Sequence, residues 1–169
     1  MGAPGQKKRL ALDTNLLFDL AGEKNFAHTF REVYQERGYS LMVPPTAIQE
    51  LTFYALDKQC AESPQARKAL GEIRAWNLSP FDLKSVGHGI TEQFANRLLR
   101  LGLLPEGEFN DGLILAETAL AGIPVLVTSD ADLLDVDAIR LMVQFEAADL
   151  PLVQICHPKL LLKAMASNR

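Results

Sequence analysis

Four carboxylates in this 169-residue chain stand where hydrolytic chemistry would place them: Asp13, Glu50, Asp111 and Asp130. Asp13 closes the apolar run Leu10-Ala11-Leu12, and Asp130 follows Val125-Leu126-Val127-Thr128 with only Ser129 between. Both emerge from the ends of predicted strands. Glu50 lies on the helical stretch after Pro44-Pro45, and Asp111 in the first turn of the helix preceding the Val125 strand. In an open parallel sheet, ligands gather beyond the carboxyl ends of the strands, so all four acids can point into one crevice. Carboxylates brought together without a partner repel and raise one another's proton affinity, so the convergence requires a shared cation. Hard oxygen ligands select Mg²⁺ or Mn²⁺. The histidines, His28, His88 and His157, are scattered and lack zinc-like companions, which disfavours catalytic zinc.

Each acid taken singly also has an ordinary role. Asp13 can cap the helix begun around Asn15, Asp111 can answer the positive end of its own helix, Glu50 can sit on a solvated face, and Asp130 and Asp132 can form turns. What independent capping does not require is that acids recur on what should be one rim of the sheet.

The elements that must position them follow from apolar periodicity. Residues 9–12 read as a buried strand feeding a helix. Phe26, Phe30, Val33 and Tyr34 predict a second helix that stops at Gly38. Leu41-Met42-Val43 reads as a strand, and Thr46 as the cap of a helix bearing Ile48, Leu51 and Ala55. Pro64 opens a helix carrying Ala66, Ala69, Leu70, Ile73 and Trp76, an apolar side that suits either the core or a homodimer. Residues 77–86 hold a short strand in which Pro80 argues against a central position. A helix over Ile90 to Leu101, a loop over 103–109, a helix over 110–121 and a strand over 124–128 come next. An acidic loop over 130–137, a helix over 139–145, a strand over 152–155 and a helix over 159–165 complete the chain.

Strands alternating with helices predict an α/β fold: a single-domain three-layer α/β/α sandwich with a mainly parallel central sheet. Its expected extent is 9–166, between a flexible N-terminal segment (1–8) and a tail (167–169). The mass of 18.6 kDa fits one domain. Hydrophobic residues at 48% and charged residues at 22% exclude wholesale disorder. The absence of an apolar run near the roughly 20 residues of a membrane helix argues for a cytoplasmic protein without a bilayer span. Cys60 and Cys156 are too few for a disulfide framework and read as buried thiols. The net charge of −4 argues against binding nucleic acid by bulk cationic attraction alone, so a local cation must reverse the field.

Four segments carry a resemblance. Leu10-Ala11-Leu12-Asp13-Thr14-Asn15-Leu16-Leu17 and Pro45-Thr46-Ala47-Ile48-Gln49-Glu50-Leu51 resemble the first two motifs of PIN domains. Asn110-Asp111-Gly112-Leu113-Ile114-Leu115-Ala116 and Val127-Thr128-Ser129-Asp130-Ala131-Asp132-Leu133-Leu134 resemble the third and fourth. They follow in the family's order across nearly the whole chain. The resemblance implies a metal-dependent nuclease fold found in ribonucleases, including toxins of toxin–antitoxin pairs. Asp13, Glu50, Asp111 and Asp130 match the family's acidic positions and become the expected catalytic and metal-binding residues. Asp132 enters as an additional or alternative ligand, and Thr14, Asn15 and Thr128 as residues that orient ligands and water. The chain departs from the motifs over Leu83 to Gly107 and in a helical insertion over Asp137 to Ala148.

The expected activity is therefore hydrolysis of RNA, single-stranded or structured, with one or two Mg²⁺ or Mn²⁺ ions neutralising the scissile phosphate and acidifying a water. Arg97 and Arg100 are candidate contacts to the RNA backbone. An antitoxin protein is the partner implied by the resemblance. The alternative is a noncatalytic RNA-binding or assembly module that keeps the fold. Phosphoryl transfer on a small molecule is disfavoured, because Asp13-Thr14-Asn15 lacks the second aspartate of haloacid-type phosphatases and no nucleotide-binding glycine loop occurs.

Overall fold

The computed structural model of the protein describes residues 8–167. Apart from Lys8 and Ser167, the expected terminal segments lie outside that range. Five parallel strands form the sheet: β1 (Arg9–Leu12), β2 (Ser40–Val43), β3 (Leu78–Pro80), β4 (Val125–Val127) and β5 (Gln154–Cys156), in the order β3-β2-β1-β4-β5. Helices flank it, giving the expected three-layer α/β architecture. They are α1 (Thr14–Ala21), α2 (Asn25–Glu36), α3 (Pro45–Leu56), α4 (Ser63–Glu72), α5 (Ser85–Arg100), α6 (Phe109–Leu120), α7 (Ala131–Leu134), α8 (Ala138–Ala147) and α9 (Pro158–Ser167).

The central strand explains the position of the crevice. From β1 the chain moves outward through β2 to β3, then returns to add β4 and β5 on the other side. The order therefore reverses between β1 and β4, which pair Leu12 with Val127. The Asp13 amide extends that ladder by donating to the Val127 carbonyl at 3.0 Å. Residues leaving these two strands, Asp13 and the segment from Thr128 to Asp130, consequently face one another at the switch point. The inner strands β1, β2 and β4 are apolar because both faces are covered: Leu10, Ala11, Leu12, Leu41, Val43, Leu126 and Val127 are all buried.

Helices α5 and α6 pack closely, and Gly112 permits it. A Cβ added at Gly112 would lie 2.8 Å from both Cα and Cβ of Ala95, closer than packed atoms allow. Gly122 closes α6 with φ of 71°, a conformation that favours glycine, before the chain enters β4.

Several expectations need correction. Pro44, not Thr46, occupies the N-cap of α3, and Thr46 lies inside the helix with its hydroxyl engaged elsewhere. Helix α4 ends at Glu72, so Trp76 sits in the turn beyond it, although still buried. Ala66 and Ala69 are buried within the protomer, and Leu70 and Ile73 pack partly buried against the same core. Helix α5 starts at Ser85 and runs through Gly87 and Gly89, where propensity is low, with Gly87 buried against Leu83 and Leu120. The acidic loop contains the short helix α7, and β5 lies at 154–156 rather than 152–155. Cys60 and Cys156 are free and only half-buried. Pro80 belongs to β3, an edge strand, as its missing amide requires. Among the described residues no helix is long and apolar enough to cross a membrane.

Candidate active site

The four sequence-identified acids come together at the carboxyl edge of the sheet. Asp13 is buried immediately after β1, and although it occupies the N-cap of α1 its side chain makes no capping bond. Instead Oδ2 accepts a hydrogen bond from the Thr128 hydroxyl at 2.8 Å. Burial pushes the Asp13 carboxyl up to about 7, opposed by the Thr128 hydrogen bond and reinforced by the charges of Glu50 and Asp130. The ordinary capping role therefore does not account for this residue.

Glu50 projects from the second turn of α3. Its Oε1 accepts from the Thr14 hydroxyl at 2.7 Å, so Thr14, buried at the start of α1, ties that carboxylate to the Asp13 segment. Burial raises the proton affinity of Glu50, while the Thr14 hydroxyl and the facing Asn110 side chain lower it. Glu50 and Asn110 also line an open cavity of 430 Å³ with Gln49, Phe53 and Tyr54.

Asp111 stands in the first turn of α6 and is 7% exposed. Its Oδ2 is buried and has no hydrogen-bond partner. Burial, followed by the charges of Asp13 and Asp130, pushes its carboxyl up to about 9, and Glu108 lies close enough to share its proton. Such an orphaned acceptor is costly unless something outside the chain completes it.

Asp130 follows β4, and its backbone is held by a bond from its amide to Thr128 Oγ1 at 2.9 Å. Its Oδ1 caps α7 by accepting the Asp132 amide at 3.0 Å. The ordinary role expected of it is that of a turn former, and the structure adds this cap, which coexists with the site. Asp132 contributes that amide, but its side chain is exposed and lies outside the carboxylate group described next. Asn15 is exposed in the first turn of α1.

Glu108 is the residue that sequence reasoning missed. Glu108, Asp111 and Asp130 each offer an oxygen within 4.8 Å of the others, a spacing at which one cation can be held. The available signal was the separation of three between Glu108 and Asp111, which stacks two acids on one side of a helix start. Arg97 and Arg100 occupy the last turn of α5, the former half-buried and the latter exposed, and neither forms an ion pair with a described acid.

The donor set is all carboxylate oxygen, buried or half-buried, and one of its atoms lacks any partner. It fits a hard divalent cation. A PIN domain family model matches residues 10–139, a span holding all five acids. The chain belongs to the PIN domain family. Among curated proteins, none matches this PIN domain by sequence. Among solved structures, the VapBC2 complex from Rickettsia felis, bound to a DNA fragment from its promoter, is similar in fold at 15% identity. It has a TM-score of 0.59 and coverage of 88% of this chain and 98% of that one. VapBC-1 from nontypeable Haemophilus influenzae is similar at 18% identity and TM-score 0.56, covering 89% and 98%. VapC20 from Mycobacterium tuberculosis, a Sarcin-Ricin loop cleaving toxin, is similar at 16% identity and TM-score 0.51, covering 73% and 91%. At these identities the likeness concerns the fold of the PIN domain.

Proposed function

We propose that this PIN domain is a divalent-cation-dependent endoribonuclease that acts as the toxin of a toxin–antitoxin pair in the cytoplasm. The observation that carries the reading is the buried, unpartnered Oδ2 of Asp111 among converging acids. Asp13, Glu50, Asp111 and Asp130 would hold Mg²⁺ or Mn²⁺. Such an ion, when bound, neutralises phosphate charge and lowers the pKa of water at the scissile bond.

The chain's own residues prepare that chemistry. Thr128 fixes the orientation of Asp13 and the backbone of Asp130 together. Thr14 fixes Glu50 from the opposite side. Phe53, 71% exposed beside Glu50, offers an unpaired base a face to stack on, which favours RNA with single-stranded character as substrate. Arg97 and Arg100 would contact the RNA backbone from the end of α5, which the segment 101–108 joins to the start of α6. The VapBC neighbours support a VapB-like antitoxin as the protein partner.

Purified protein should cleave RNA in the presence of Mn²⁺ or Mg²⁺ and lose cleavage in both Asp13→Asn and Asp130→Asn. Unchanged cleavage in the two variants rejects the site. RNA binding without any cation-dependent cleavage favours the noncatalytic module.

A further inference from the structure

We infer that Glu108 is a fifth carboxylate ligand of the cation centre, presented by the N-cap of α6 alongside Asp111 and Asp130. The inference rests on reading the acidic cleft as that centre, and goes beyond it by adding a residue outside the four PIN motifs.

Three observations carry it. Glu108 occupies an N-cap, a position where a side chain ordinarily accepts from the free amides of the helix, yet it makes no such bond. Its carboxylate instead joins Asp111 and Asp130, with one oxygen of each within 4.8 Å of the others. Within that group Asp111 is only 7% exposed and its Oδ2 has no partner, so the cluster contains a buried acceptor that only a donor or a cation can satisfy. Apart from a proton held on a carboxyl, no side-chain donor belongs to this group. A cation shared by the three satisfies the orphaned oxygen and removes the repulsion at once.

The position of Glu108 also gives the role a distinct character. Asp13 and Asp111 are buried and rigidly placed, whereas Glu108 is half-buried at the mouth of the cleft. Its removal should therefore weaken cation binding without disturbing the core. Glu106, exposed two residues earlier, carries the same charge and is not in the group, so it controls for the general field of the loop.

Isothermal titration of the full chain with Mn²⁺ tests the assignment without reference to activity. Glu108→Gln should weaken Mn²⁺ binding by about tenfold or more, the scale on which altering a metal's supporting groups acts. Glu108→Asp should fall between that variant and the parent, and Glu106→Gln should stay within about twofold of the parent, thermal melts confirming that each is folded. Parent-like affinity in Glu108→Gln, with binding lost in Asp111→Asn, overturns the role of Glu108 and leaves the cleft standing. Parent-like affinity in Asp111→Asn as well removes the cleft itself. An equal loss in Glu106→Gln and Glu108→Gln assigns the effect to general charge and overturns ligation.

Discussion

The Thr128 hydroxyl donates to Asp13 Oδ2 at 2.8 Å and, through the same oxygen, accepts the Asp130 amide at 2.9 Å. One fully buried side chain thus links the acid that ends β1 to the acid that follows β4, across the point where the strand order reverses. A threonine suits this place because its hydroxyl can donate and accept at once.

Thr128→Val keeps the shape and deletes the link. Asp13 loses the bond that holds its proton affinity down, and the Asp130 amide loses its acceptor. We expect a loss of about 2 kcal/mol in unfolding stability, in the range for bonds to charged groups, and weaker Mn²⁺ binding at neutral pH. Thr128→Ser should recover most of both. Urea unfolding and Mn²⁺ titration of the two variants check this, and a Val variant with parent-like cation affinity contradicts it.

The raised carboxyls dictate how the metal-free protein responds to pH. Asp13 titrates near 7 and Asp111 near 9 when folded, against 3.8 for an ordinary aspartate. Below about pH 4 both states hold these protons and no linkage exists. Above it the unfolded chain ionises freely while the folded chain keeps its protons, so stability should fall from about pH 4 to about 9. Glu50 and Glu117, whose proton affinities are also raised, act in the same direction. A cation takes the ionised form, so its binding should release protons and tighten as pH rises. Calorimetry in buffers of different ionisation enthalpy reads the proton release directly. Metal-free stability that is constant or increasing between pH 5 and 8 would be inconsistent with a desolvated cluster.

The sheet and the four motif acids were legible in the sequence because both follow local rules: apolar runs ending in turn-forming acids, and ligand positions beyond strand ends. The limits were equally physical. The spacing of Glu108 and Asp111 pairs two acids locally, but it does not show the approach of Asp130 from a distant strand that completes the group, and Glu108 was not found. Thr46 reads as a cap by residue type, yet Pro44 takes that place and the threonine turns to Glu117. Helix α7 escaped because four residues are too few to establish a period. Trp76 was recognisable as core, but not as lying outside its helix, since burial continues past the end of α4.

Asp111→Asn separates the cost of the cluster from its use. At pH 8 the metal-free parent must take up a proton at this carboxyl to fold, which the amide does not require, and the new amide can donate to the Glu108 and Asp130 carboxylates around it. Metal-free Asp111→Asn should therefore be more stable than the parent at pH 8, by about 1 to 2 kcal/mol. It should also lose the stabilisation by Mn²⁺, which for the parent amounts to about 2.7 kcal/mol at a hundredfold excess over Kd. Thermal melts with and without Mn²⁺ decide the matter. Equal melting shifts in variant and parent would mean that the ion binds elsewhere.

A buried strut sets the distance between the two helices that carry Glu50 and Asp111. Thr46, one turn before Glu50 on α3, donates its hydroxyl to Glu117 Oε2 at 2.6 Å and its amide to Oε1 at 3.1 Å. Glu117 lies on α6, between one and two turns beyond Asp111, and both partners are buried. Thr46→Val leaves the Glu117 carboxylate with only the amide and should cost about 2 to 3 kcal/mol. Thr46→Val with Glu117→Leu replaces both polar groups by apolar ones and should cost much less than the sum of the single changes. Because the strut spans α3 and α6, Thr46→Val should also weaken Mn²⁺ binding although it touches no acid of the cleft, whereas Thr46→Ser should not. Additive single changes in a double-mutant cycle would show the two side chains to be uncoupled, and unchanged Mn²⁺ affinity in Thr46→Val would confine the strut to stability.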